Sequence, residues 1–156
     1  MAAFEEMMNY RAVDELLSTA GLPTEDQLRS LAEHGFQVVI NLALDNSPPY
    51  SLAGEADIVR GLGLIYVHIA VNFNNPTGVD LAQFCHAMDA HAGRRRFVHC
   101  ALNKRVSAFV GLYRVIRLGW DREAAFDLVR SVWEPDAVWQ AFIDETLKKH
   151  AFTVDL

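Results

Sequence analysis

The sequence predicts an α/β fold, a central and mostly parallel sheet flanked by helices in a three-layer sandwich. Three observations carry this. Strand-like runs rich in β-branched residues alternate with helix-like runs. The strand runs are apolar throughout, as strands covered on both faces are. The connections are short and rich in turn residues, with no repeat, low-complexity segment or linker. One domain over residues 1–156 is therefore expected.

The elements follow in order. Residues 15–24, ELLSTAGLPT, read as a short apolar stretch with turn residues. In 23–35, PTEDQLRSLAEHG, Thr24 can cap a helix, Gln27 can complete a capping box and Gly35 can stop it. Leu28, Leu31 and Ala32 supply its apolar face. FQVVINLAL (36–44) is a buried strand, and 47–63 opens as a turn and becomes a helix ending near Gly61 or Gly63. LIYVHIAV (64–71) is the next strand, followed by the turn-rich loop NFNNPTGVD. A helix over 79–93 places Leu81, Phe84, Cys85 and Met88 on one face. RRRFVHC (94–100) gives the last strand, VSAFVGLYRVIRLG (106–119) a helix, and 121–133 and 136–150 two more.

Composition narrows the function classes. Apolar residues make up 51% and charged residues 22%, enough for a core and against wholesale disorder. The net charge of −6 argues against general nucleic-acid or membrane-surface binding, so any anion site must be local. Two cysteines, Cys85 and Cys100, are too few for a disulfide framework, and no Cys/His pattern suggests a metal. Thiols kept reduced fit a cytoplasmic protein. The start, MAAFEEMMNYR, is acidic and unlike an ordinary signal peptide, and no stretch approaches a membrane span. Nothing in the sequence specifies an oligomeric state.

In open α/β sheets ligands bind beyond the carboxyl ends of the strands, and Cys100 sits at such an end. The stretch 97–107, FVHCALNKRVS, runs from a strand through a short loop into a helix. Such a loop presents unpaired N–H groups with a helix dipole behind them, an anion site made from Ala101, Leu102, Asn103, Lys104, Arg105 and Val106. The same field favours the nucleophilic thiolate. Arg105 offers two parallel hydrogen bonds to a phosphate, and Asn103 tolerates a left-handed backbone. Ser107 is placed to donate to a leaving thiolate.

This stretch resembles the signature loop of the cysteine-dependent protein tyrosine and dual-specificity phosphatases. GFQVVINLAL resembles their central strand, GLIYVHIAV the strand before their acid loop, and DLAQFCHAMDAH the helix leading to the signature strand. The resemblance spans roughly residues 15–130 and is nearest to small bacterial, non-classical members. It implies that Cys100 attacks phosphorus, that Arg105 holds the phosphate, that the phosphocysteine is hydrolysed, and that no metal or organic cofactor is needed. The partner would be a phosphorylated substrate, protein or small molecule.

The sequence departs from the family in two places. Four residues, Ala101 to Lys104, separate cysteine and arginine where five are usual. An ungapped alignment puts Val106 at the arginine position. A gapped one puts Arg105 there, and is favoured because a phosphate loop without arginine loses its main charged ligand. The usual acid after IAV is also missing: Asn72 and Phe73 stand there, and an amide has no proton to deliver. Asp80 is the nearest acid but belongs to a Thr77 cap, and Asp45 ends a strand that opens on the same mouth.

Blander roles suit several neighbours: His99 as a bonded core group, Cys85 as core packing, Arg94 to Arg96 as a solvated turn, and Trp133 and Trp139 as seals for the last helices. The expected function is a phosphatase, slow or atypical in its acid. The alternatives are a non-catalytic phosphate-binding module and a rhodanese-like sulfurtransferase.

Overall fold

The computed structural model describes residues 2–154, with side chains to residue 151. A short 3-10 turn at Ala3–Glu6 precedes strands β1 (Arg11–Asp14) and β2 (Leu17–Ala20). Helix α1 (Glu25–Glu33), β3 (Val38–Asn41), α2 (Glu55–Gly61), β4 (Ile65–His68), α3 (Gly78–Ala90) and β5 (Arg96–His99) alternate after them. The chain ends in α4 (Lys104–Ile116), α5 (Arg122–Ala125), α6 (Asp127–Val132) and α7 (Ala137–Val154). None of the described helices is long and apolar enough to cross a membrane.

The strands form one sheet in the order β1-β2-β5-β3-β4. β2, β5, β3 and β4 run parallel, and only β1 is antiparallel to its neighbour. Side-chain alternation sends the two faces of each strand to different layers. Val38, Ile40 and Val98 join Phe84, Phe109, Leu112 and Trp139 beneath α3, α4 and α7. Val39 and Phe97 join Phe4, Leu28, Leu31 and Val59 beneath α1 and α2. Both faces are thus covered, which is why these strands read as unbroken apolar runs.

The helix signals act as their chemistry dictates. Thr24 accepts a hydrogen bond from the Gln27 N–H at 3.1 Å, while Gln27 accepts from the Thr24 N–H at 2.9 Å. Thr77 accepts from the Asp80 N–H at 3.1 Å.

Arg96 is not part of a solvated turn: it opens β5, is buried and donates from Nη1 to Met88 O at 3.2 Å. Three segments differ from expectation as well. Residues 11–20 hold two strands where the sequence indicates only an apolar stretch with turn residues. Strand β2 is hidden because Ser18 and Thr19 are buried, their hydroxyls bonded to Tyr10 at 3.0 Å, eight residues away, and to Asn103 at 2.9 Å, 84 residues away. Helix α4 starts at Lys104, two residues before the expected Val106. The expected helix 121–133 is split at Phe126, whose ring lies against Gly111, where an added Cβ would meet it at 2.9 Å.

Candidate active site

β5 is the middle strand, and Cys100 is the residue that follows it. Helix α4 begins four residues later, so residues 100–103 form a single tight turn. Asn103 makes this turn with φ 67° and ψ 4°, the left-handed region an asparagine reaches more readily than most residues. The first helical hydrogen bond runs from the Ser107 N–H to the Asn103 carbonyl at 2.9 Å. The N–H groups of Lys104, Arg105 and Val106 therefore have no acceptor in the helix ladder. The two carbonyls that would repel an anion are occupied: Leu22 N–H donates to Ala101 O at 3.0 Å, and Asn9 Nδ2 to Leu102 O at 2.9 Å.

A cavity of about 490 Å³ opens over this turn, walled by Cys100, Ala101, Leu102, Lys104 and Arg105 on one side. Leu44, Ser47 and Tyr50 from the loop after β3, and Asn72, Phe73 and Asn74 from the loop after β4, complete it. Val106 faces the core, so Arg105 is the arginine on the wall. Its Nη1 donates to Val71 O at 2.9 Å, which fixes the guanidinium and ties the start of α4 to the loop after β4. Arginine carries five N–H donors, so the others remain for a ligand. Lys104 Nζ lies 5.5 Å from the Trp133 ring centroid and 6.0 Å from that of Phe73.

The remaining expected residues lie behind the wall or away from it. Asn103 is fully buried and donates from Nδ2 to Asn9 O and Thr19 Oγ1, both at 2.9 Å. Ser107 is also fully buried. Its hydroxyl donates to Lys104 O at 3.0 Å and accepts from Trp133 Nε1 at 3.2 Å, so its proton is engaged away from the sulfur. No carboxylate is among the cavity-lining residues. Asp80 sits in the first turn of α3, and Asp45 is largely exposed, 3.6 Å from His68 Nδ1. Asn72 does reach the wall, but its Oδ1 accepts from the Asn74 N–H at 2.9 Å and shapes the loop.

Four features could not be found from local sequence rules. Glu55 is buried, 2.6 Å from Nε2 of the fully buried His99. His99 Nδ1 donates to the Cys100 carbonyl at 3.1 Å, so the proton of the other bond lies between Nε2 and the carboxylate. The imidazole is thus locked and holds the backbone at the cysteine. Gly21 lies against the loop, where an added Cβ would come within 2.4 Å of Ala101 O. Asn9, itself at φ 53°, braces Leu102. Trp139 donates from Nε1 to Phe73 O at 2.8 Å and anchors the loop after β4. Cys85 lies away from this cavity, and burial pushes its thiol up to about 11.

Comparison with known proteins agrees with this geometry. A family profile described as DSP-PTPase phosphatase fused to NAD+ kinase matches residues 3–141. A DUF442 protein from Shewanella putrefaciens CN-32, described as a phosphatase and solved at 1.40 Å, is 31% identical. That alignment covers 95% of this chain and 97% of the other, with a TM-score of 0.83. The fold is shared with PTPMT1, solved in complex with PI(5)P, at 17% identity, 93% and 98% coverage and a TM-score of 0.77. It is shared also with TpbA of P. aeruginosa, solved in complex with pTyr, at 15% identity, 92% and 91% coverage and a TM-score of 0.69. No curated protein sequence matches the chain at a significant level. The chain belongs to the DSP-PTPase phosphatase family described as fused to NAD+ kinase, within the cysteine-dependent tyrosine and dual-specificity phosphatase superfamily.

Proposed function

We propose that the protein is a cysteine-dependent phosphatase acting on a phosphate monoester, as one domain spanning residues 1–156 in the cytoplasm. The Cys100 thiolate attacks phosphorus, the bond from phosphorus to the leaving oxygen breaks, and a phosphocysteine forms. Water then attacks phosphorus, the S–P bond breaks, and inorganic phosphate leaves. Arg105 and the N–H groups at the start of α4 stabilise the charge on the transferring phosphoryl group. No step calls for a metal or an organic cofactor. The ligands solved with PTPMT1 and TpbA, PI(5)P and pTyr, support a phosphorylated substrate, protein or small molecule.

The observation that carries this reading is Cys100 and Arg105 on one cavity wall at the start of α4, with no carboxylate on that wall. The missing carboxylate also favours a second reading, a phosphate-binding module without turnover. Hydrolysis of p-nitrophenyl phosphate separates the two. The expected result is turnover that Cys100→Ser abolishes and that Arg105→Ala lowers by about 10²-fold or more. Equal rates for wild type and Cys100→Ser overturn the phosphatase reading. Phosphate or vanadate raising the melting temperature without turnover establishes the binding module.

A further inference from the structure

We propose that Lys104 supplies the proton to the leaving oxygen, in the role an aspartate would otherwise fill; this rests on the phosphatase reading. The cavity wall holds no Asp or Glu, so the donor must come from another residue type. Cys100 is the nucleophile. Arg105 holds its protons under all ordinary conditions. Asn72 and Asn74 are amides with nothing to give up. Ser47 is a hydroxyl whose proton is already given to Asp45 O at 3.1 Å, so among the cavity-lining residues Lys104 and Tyr50 are left.

Position separates these two. Lys104 is the first residue of α4, on the phosphate loop itself. Its ammonium rests near the Phe73 and Trp133 rings at 6.0 and 5.5 Å, distances at which a cation is attracted to a ring face. Those rings are held in turn: Trp133 Nε1 donates to Ser107 Oγ, Trp139 Nε1 holds the Phe73 backbone carbonyl, and the Phe73 ring packs 5.8 Å from that of Trp133 and 6.0 Å from that of Trp139. Phe73 belongs to the loop after β4, which meets the phosphate loop at the bond from Arg105 to Val71. The ammonium is therefore held between Phe73, a wall residue from the loop after β4, and Trp133 at the end of α6. Tyr50 is 59% exposed, and its hydroxyl has no hydrogen-bond partner among the described residues.

The step balances. As the Cys100 sulfur bonds to phosphorus, the electron pair of the breaking P–O bond takes a proton from the Lys104 ammonium, leaving the alcohol or phenol and a neutral amine. The amine then takes a proton from the water that attacks the phosphocysteine. Thiolate, ammonium and inorganic phosphate result.

The test is a leaving-group series of p-nitrophenyl phosphate, phenyl phosphate and phosphoserine, read as kcat and KM. It uses wild type, Lys104→Met, Lys104→Arg and Tyr50→Phe, with melting temperatures to confirm folding. Nitrophenolate leaves without a proton, whereas phenol and serine need one increasingly. Lys104→Met is expected to lose at least tenfold more kcat on phenyl phosphate than on p-nitrophenyl phosphate, within the ~10²–10⁴-fold that protonation is worth. Lys104→Arg is expected to keep KM and share that loss, since a guanidinium keeps the charge but not the transferable proton. A uniform loss across the series, recovery of kcat by Lys104→Arg, or the same pattern in Tyr50→Phe overturns the proposal. If turnover depends on Cys100 but Lys104→Met shows no leaving-group dependence, only this proposal fails. If no turnover depends on Cys100, the phosphatase reading fails with it.

Discussion

Replacing Gly21 by alanine tests whether the phosphate loop is held by backbone packing from β2. The added Cβ would stand 2.4 Å from Ala101 O, 3.1 Å from Ala101 C and 3.1 Å from Met8 O. Real Cβ atoms essentially never come closer than 3.0 Å, so Ala101 O must retreat by about 0.6 Å. The atoms in the way are backbone, and no side-chain rotamer relieves them. The retreat stretches the bond from Leu22 N–H, now 3.0 Å, toward the limit of useful geometry. Overpacking costs about 1–3 kcal/mol and the weakened hydrogen bond about 0.5–1.5 kcal/mol. For a chain of this length, each kcal/mol shifts the melting temperature by about 2–4 °C. The expected fall is thus about 3–18 °C. Cys100 is covalently next to Ala101, and displacing a reacting group by about 1 Å costs about 10²-fold. We therefore expect kcat/KM on p-nitrophenyl phosphate to drop by about tenfold or more. Gly61→Ala is the control, because nothing lies within 4 Å of its added Cβ, and it should be neutral or slightly stabilising. A Gly21→Ala protein that melts within about 1 °C of wild type and keeps its kcat/KM refutes the reasoning.

Two further outcomes follow from buried groups. Removing either Glu55 or His99 strands the other inside the protein, so each alanine substitution should cost about 3–5 kcal/mol in urea unfolding. The double substitution should cost less than the two together by about 1–3 kcal/mol, and strict additivity would contradict a coupled pair. Alkaline pH provides the other. Burial raises Cys85 from 9.0 to about 11, so between these values the unfolded chain has lost the proton that the folded chain retains. Stability is therefore complete below about pH 9 and falls as pH rises toward 11, by on the order of 2 kcal/mol. Tyr66 and Tyr113, both raised from 10.0 to about 12 chiefly by burial, extend the decline. Urea midpoints at pH 8 and pH 10 should converge in Cys85→Ala relative to wild type, and an undiminished gap would rule out Cys85 as the source.

What could be read from the sequence was local, and what could not depends on partners far along the chain. Thr24 with Gln27, Thr77 with Asp80, and the left-handed Asn103 each follow from rules that span a few residues, and each is found in place. β3, β4 and β5 were legible because burial on both faces leaves an unbroken apolar run. β2 was not, because its buried Ser18 and Thr19 are polar, and Thr19 is bonded to Asn103, 84 residues away. Glu55 is a first-turn acid of α2, a place where acids are ordinarily solvated, and its partner His99 lies 44 residues along the chain and 2.6 Å away. Gly21 carried no signal of its own, since its constraint is a carbonyl 80 positions later.

The acid shows the same division with opposite consequences. That Asn72 and Phe73 occupy the expected acid position was visible in the sequence, because a missing residue type is a local fact. What stands in for it was not. A lysine beside a turn at a helix start is ordinarily solvated. The Lys104 ammonium rests near the rings of Phe73 and Trp133, which come from a loop 31 residues before it and a helix end 29 residues after it. Ser107 holds the Trp133 indole and Trp139 holds the Phe73 backbone. Substituting Trp133 by leucine would therefore separate location from chemistry. It leaves Lys104 its proton but removes one ring that holds it, and it removes the indole N–H from Ser107. If position makes the lysine useful, Trp133→Leu should reproduce the leaving-group dependence of Lys104→Met at reduced size. If the lysine acts only through its charge, Trp133→Leu should weaken all substrates alike.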